Sequence, residues 1–360
     1  MAYTTIDDPS AYFQTAIYTG NGGTLAVTND GNSDLQPDLV WIKSRSAATT
    51  EHHLMDSTRG EGTGSDDTPN VSSNSTGAEY DRDIFSSTGI TSDGFSLDPY
   101  SDTNTNTDTY VAWQWKANRG STTTNDASAT SVGDQDSVYQ ADTTSRFSIF
   151  TYGPLGSGGV LAHGLGAVPE VIIIKSRDGS RDWCVYHHKN TAAPETDFLK
   201  LNDTDATADA TVWNDTALTS TTVSVSGDGK VGTDETYVAY AFAGVQGYSK
   251  FGTYVGNGDA DGTFVYTGFK PAFVMMKNIS PTGWWNMNDI KRPGYNPTND
   301  MIAAQSTNAE ADEDDIDLLS NGFKQRSTGG DANGNGESFI YMAFAKQPFV
   351  TSGGVPCTAF

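Results

Sequence analysis

The sequence predicts an all-β chain of three tandem antiparallel β-sandwich repeats, jelly-roll-like in type. Three observations lead there. A strand motif returns three times, as PDLVWIK (Pro37 to Lys43), PEVIIIK (Pro169 to Lys175) and PAFVMMK (Pro271 to Lys277), each a proline, an apolar run and a closing lysine. Self-similarity of that kind marks a repeated structural unit. A second strand follows each copy: YVAWQWK from Tyr110, YVAYAFA from Tyr237 and FIYMAFA from Phe339. Its large side chains fall at alternate positions, which in an extended chain share one face, so they are expected to turn inward between two sheets. The composition is the third observation: only 36% of residues are hydrophobic, and Gly, Ser, Thr, Asn and Asp abound. That suits short strands joined by many turns better than helices.

Taken in order, residues 1–12 form an N-terminal arm, expected either to pair with a neighbour or to fray. Repeat 1 spans 13–117. Its strand at Leu39–Ile42 is expected to be buried, with Lys43 marking the return to solvent. The stretch from Asp56 to Asp83, with its GEGTGSDD run, reads as a long polar insertion with almost nothing to bury. Residues 118–145 are rich in Ser, Thr, Asp and Gly and read as a linker. Repeat 2 (146–245) and repeat 3 (246–348) follow without a gap and are expected to pack together, leaving repeat 1 freer. A C-terminal tail covers 349–360. Two weaker markers support the period. Tyr18, Tyr152 and Tyr254 precede each proline, and the turns SDGFSL, STTVSV and SNGFKQ precede each aromatic strand.

A formal net charge of −24 argues against nucleic acid, whose phosphates it would repel, and fits a soluble particle surface. Cys184 and Cys357 are too few for a disulfide framework. The N-terminal residues lack a basic segment followed by an apolar one, and no run is long enough to span a membrane. Synthesis in a cytosol and no membrane insertion are therefore expected.

Candidate chemistry is sparse. His52-His53 and His187-His188 are adjacent pairs in roughly corresponding regions, and neighbours on a strand point to opposite faces, which disfavours a shared metal. The acidic run Glu310, Asp312, Glu313, Asp314, Asp315 and Asp317, like Asp259 and Asp261 in NGDADG, offers the hard oxygen ligands of calcium without the spacing of a known calcium loop. No catalytic motif emerges, so neither an enzyme nor a cofactor is expected. Trp284, Trp285 and Tyr295 are the candidate ligand-binding residues: one tryptophan of the pair should face outward, where an aromatic ring beside Asn and Asp can stack on a sugar.

The combination of YTGNG (Tyr18 to Gly22), PDLVWIKSRS, DSTRG (Asp56 to Gly60), SDGFSL, YVAWQWKA and YMAFAKQPF resembles a repeated domain of tailed bacteriophages, marine and cyanobacterial ones especially, found in tail-fibre and virion structural proteins. The second repeat departs most, with YGPLG in place of YTGNG. The resemblance implies a virion component made in the host cytoplasm and displayed on the particle. The expected role is a tail fibre or receptor-binding protein, assembled as a homotrimer, that contacts other virion subunits and a bacterial surface polysaccharide. A capsid decoration or head-fibre protein is the alternative, and a polysaccharide-degrading tailspike a third.

Overall fold

In the computed structural model, which describes residues 2–62 and 67–358, strands and turns account for nearly the whole chain. The first unit holds β1 (Phe13–Thr19), β2 (Leu25–Thr28), β3 (Leu39–Ser44), β4 (His53–Asp56), β5 (Thr68–Asn70), β6 (Tyr80–Arg82), β7 (Phe85–Thr91), β8 (Gly94–Leu97) and β9 (Thr109–Trp115). The second holds β10 (Thr123–Asn125), β11 (Ser137–Asp142), β12 (Phe147–Tyr152), β13 (Gly158–Ala162), β14 (Val171–Ser176), β15 (Cys184–His187), β16 (Asp197–Lys200), β17 (Ala208–Asp209), β18 (Thr222–Ser226) and β19 (Tyr237–Phe242). The third holds β20 (Ser249–Val255), β21 (Phe264–Tyr266), β22 (Phe269–Asn278), β23 (Trp285–Asp289), β24 (Thr298–Ala303), β25 (Ala311–Leu319), β26 (Gly322–Gln325) and β27 (Ser338–Pro348).

The fold class is all-β, and one strand order recurs: β1-β9-β3-β4, then β12-β19-β14-β15, then β20-β27-β22-β23. The register repeats too. Trp41 lies opposite Trp113, Ile173 opposite Tyr240 and Met275 opposite Met342. Behind each of these sheets lies a second layer, β2-β8-β7 in the first unit and β13-β18 in the second; in the third, the sheet continues through β24, β25 and β26 to β21 and nearly closes on itself. The tyrosine markers have a common task. Tyr18, Tyr152 and Tyr254 stack on Tyr110, Tyr237 and Phe339 at centroid distances of 5.1, 5.0 and 4.8 Å. Their hydroxyls donate to the carbonyls of Thr103, Val231 and Ala332.

The units are not independent beads. The motif strands are buried on both faces, as their nearly unbroken apolar runs require. Val40 and Ile42 face the first unit's own core, whereas Leu39 and Trp41 enter a larger cluster that draws on all three units. There Trp115, Phe242 and Phe344 converge with Phe13 and Phe273, at ring-centroid distances of 5.0 to 6.3 Å. Trp113, Trp115, Tyr240, Phe242 and Phe344 therefore point to this shared core, whereas Tyr110, Tyr237, Phe339 and Tyr341 turn into the cores of their own units. The expected freedom of the first unit is overturned by the same residues, since Trp41, Trp113 and Trp115 would be exposed without their neighbours.

Buried polar contacts link the three units cyclically, each donating to one neighbour and accepting from the other. Lys43 Nζ donates to the Thr307 carbonyl of the third unit, Lys175 to Thr76 of the first and Lys277 to Thr204 of the second, at 3.2, 3.1 and 3.0 Å. All three lysines are buried, contrary to the expectation that Lys43 returns to solvent. Burial lowers each ammonium to about 8; Lys43 and Lys175 each donate to three oxygens and Lys277 to the carbonyls of Thr204 and Gly283. Three ring nitrogens follow the same course: His52 Nε2 meets the Ala303 carbonyl at 3.1 Å, Trp183 Nε1 donates to Ser72 at 2.9 Å and Trp285 Nε1 to Lys200 at 2.8 Å. Two buried ion-pair clusters complete the joints. Arg59 bridges Asp56 and Glu79, with Arg177 of the second unit on the other side of Glu79; Arg292 bridges Asp289 and Glu310, with Arg45 of the first unit on Glu310.

Three further expectations are corrected. The 118–145 segment is not a free linker, because β10 and β11 extend the second sheet beyond β12 and Asp38 accepts the backbone N–H groups of Ala117, Arg119 and Gly120. The polar insertion buries Arg59, Val71 and Ser73 at the unit joints, although Thr63, Gly64, Ser65 and Asp66 lie outside the described residues. The N-terminal arm lies against its own third unit and tail, through Tyr3 to the Gly268 carbonyl, Thr4 to Gln246 and Asp7 to Ser352.

Candidate functional site

The strand register separates the residues that the sequence groups together. His52 occupies the position of Trp183 and Trp285, while His187 occupies that of Asp56 and Asp289. The paired histidines are thus not equivalent. Desolvation pushes His52 well below the ordinary imidazole range and His187 down to about 3, so both are neutral parts of the joints. Among the described residues no group of three His, Cys, Asp or Glu side chains is placed to hold a metal. Glu310 is bound by Arg45 and Arg292, Asp317 by Arg326, and Asp261 by Lys324 and Arg326. The side chains of Asp314 and Asp315 lie outside the described residues.

Trp285 is 3% exposed and belongs to the shared core. Trp284 is half-buried, its backbone N–H donating to Asp331 Oδ1. Tyr295 is 69% exposed, on the loop beyond the far end of β23. A strand of that length spans well over 10 Å, so Trp284 and Tyr295 do not form one platform.

Two open grooves lie on the second unit, the one whose turns diverge in sequence. The larger, about 500 Å³, is lined by Asp182, Phe198, Lys200, Asp205 and Lys230 together with Ala206 and Ala208. That is the size of a small-ligand site. Its apolar floor comes from β16: Phe198 packs against the second unit's core, and Lys230 Nζ lies 5.3 Å from its ring centroid. Lys200 sits between Asp205 at 2.8 Å and Asp182 at 3.7 Å, while Lys230 pairs with Asp228 at 3.1 Å. The inner wall is fixed, because the carbonyls of Lys200 and Thr204 receive Trp285 and Lys277 from the third unit. An apolar floor ringed by ammonium donors and carboxylate acceptors, nearly balanced in charge, suits a neutral ligand rich in hydroxyls.

A second groove, about 290 Å³, runs along the added strand β11 and is lined by Thr124, Asp136, Ser137, Thr151, Arg177 and Thr236 among others. Sequence reasoning missed both grooves. Their residues come from separated segments, and the only signal was the divergence of the second unit.

The model of a domain of unknown function, DUF7483, matches residues 8–348 of the chain. No curated protein and no solved structure matches it.

Proposed function

We propose, for a chain that belongs to the DUF7483 domain family of unknown function over residues 8–348, a role as a tailed-bacteriophage tail fibre or receptor-binding protein that recognises a glycan of the host surface. The observation that carries this reading is the 500 Å³ groove, where Lys200, Lys230, Asp182 and Asp205 offer hydroxyl partners above the buried ring of Phe198. A body locked around one core supports it, because a preorganised groove binds at lower entropic cost. The acidic surface keeps the displayed protein soluble. Other virion subunits are its partners, and a homotrimer would present three such grooves, multiplying weak contacts. The test is binding of purified protein to host cells and to their extracted surface polysaccharide, with Asp205→Asn as the comparison. Saturable binding weakened by Asp205→Asn supports the reading; binding only to particles that lack this protein would favour the capsid-decoration role.

A further inference from the structure

We propose that the joint between the second and third units is an acid-sensitive latch, held shut by neutral His187 and released when that imidazole takes up a proton. The other two joints supply the comparison. Backbone bonds across them fix the equivalence: the N–H of Glu79 donates to the Arg177 carbonyl, that of Glu310 to Arg45 and that of Thr207 to Ile279. In the first two joints an aspartate and the arginine three residues on, Asp56 with Arg59 and Asp289 with Arg292, connect to Glu79 or Glu310 and so to the arginine of the next unit. The third joint replaces every member of that chain. His187 stands for the aspartate, Asn190 for the first arginine, Thr207 for the glutamate and Ile279 for the second arginine. In place of the ion pairs stands a bond from Thr207 Oγ1 to Asn190 Oδ1 at 2.6 Å, and Asn190 Nδ2 is buried without a partner.

One protonation state closes this joint. His187 Nδ1 accepts the N–H of Lys189 at 3.1 Å, so the ring proton sits on Nε2, which donates to the Tyr341 carbonyl of the third unit at 3.2 Å. Neither partner can reverse its role, since a backbone N–H only donates and a carbonyl only accepts. A second ring proton would set Nδ1–H against the Lys189 N–H. The surroundings offer such a cation little: Val171, Met275, Trp285 and Met342 line a cavity with the ring, which is 3% exposed. The ionisable groups that face it are His188, with its ring centroid 5.4 Å away, Lys189, Tyr341 and Glu170. Glu170 Oε2 lies 3.4 Å from His188 Nε2 and Oε1 accepts the Gly244 N–H, so this carboxylate is engaged elsewhere.

Burial first, then the His188 ring and Lys189, push the imidazole down to about 3, against about 6.5 once it is released to water. Between those values the open joint binds a proton that the closed joint does not. Closure is therefore at full strength above about pH 6.5 and weakens as pH falls toward 3. From pH 7 to pH 5 the open population of this joint rises about 20-fold. The joint between the first and second units carries Trp183 and Asp56 where the others carry His52 or His187, and has no such response. This inference does not depend on glycan binding.

The test is amide hydrogen exchange of the full-length protein at pH 7 and pH 5, corrected for the intrinsic exchange rate and read at two equivalent amides that cross joints, Thr207 to Ile279 and Glu79 to Arg177. Protection of Thr207 is expected to fall about 20-fold at pH 5 while that of Glu79 holds. In His187→Gln, whose amide N–H can still reach the Tyr341 carbonyl but takes up no proton, Thr207 should keep its protection at both pH values. Unchanged protection of Thr207, an equal fall at Glu79, or the same fall in His187→Gln would each overturn the proposal. Should that variant fail to fold, the comparison of the two amides within the native protein decides the matter by itself.

Discussion

Replacing Phe344 by alanine separates a shared core from three independent ones by the size of its thermal effect. The ring lies 5.2 Å from Phe13, 5.6 Å from Trp115, 5.7 Å from Phe242 and 5.9 Å from Phe251, so its neighbours come from all three units. Truncating a fully buried phenylalanine costs about 3–5 kcal/mol. If the 360 residues unfold together, an unfolding entropy of about 2.1 cal/mol/K per residue gives about 0.76 kcal/mol/K, and a loss of about 4 kcal/mol lowers Tm by about 5 °C. If the third unit melted alone, about 100 residues would give about 0.21 kcal/mol/K and a drop of nearly 20 °C in one of several transitions. Differential scanning calorimetry reads this directly. A single peak displaced by a few degrees is expected; one component falling far below two unmoved ones would refute the shared core.

Arg59→Met leaves the buried carboxylate of Asp56 without a cation and Glu79 with Arg177 alone and should cost about 3–5 kcal/mol in urea unfolding, of which Asp56→Asn in the same chain restores part; a loss below about 1 kcal/mol would show the cluster to be water-accessible. Lys43, Lys175 and Lys277 have folded pKa values of about 8 against about 10.5 unfolded. Over that window the unfolded chain binds more protons, so stability rises with pH. Lys43→Met should remove on the order of 1–3 kcal/mol of the rise between about pH 7.5 and 9.5, and an unchanged slope would contradict a buried ammonium. In the groove, Asp205→Asn and Lys230→Ala should each weaken glycan binding about tenfold with Tm unmoved; retained affinity would place the ligand elsewhere.

The strands were legible because their pattern is local. The runs at Leu39–Ile42, Val171–Ile174 and Phe273–Met276 are apolar at every position, and the alternation in YVAWQWK, YVAYAFA and FIYMAFA fixes which side chains share a face. The shared core was legible in principle. An uninterrupted apolar run on a central strand implies burial on both faces, which a lone two-layer sandwich cannot supply. The burial of Lys43 could not be read locally, because the carbonyl of Thr307 that receives it lies far along the chain; its recurrence as Lys175 and Lys277 was the trace left in the sequence. Strand β11 escaped notice because SVYQAD has no apolar alternation, its stability coming from the ladder to β12 and from Gln140 reaching Ser57 and Thr58. Of the candidate sugar-binding residues, Trp285 went to the core because its indole N–H finds a carbonyl there. The groove around Phe198 is assembled from 182, 198–208 and 230, and no periodicity links those positions.

The interdependence of the units is tested most directly on the fragment 118–348, which holds the second and third units, β10 and β11 included, without the first. Lacking Trp41, Trp113 and Trp115 and the acceptors at Ser72 and Thr76, it should give a collapsed amide proton spectrum and no cooperative melt. A well-dispersed spectrum with a sharp transition would contradict the account, since two units would then have closed a core that it builds from three.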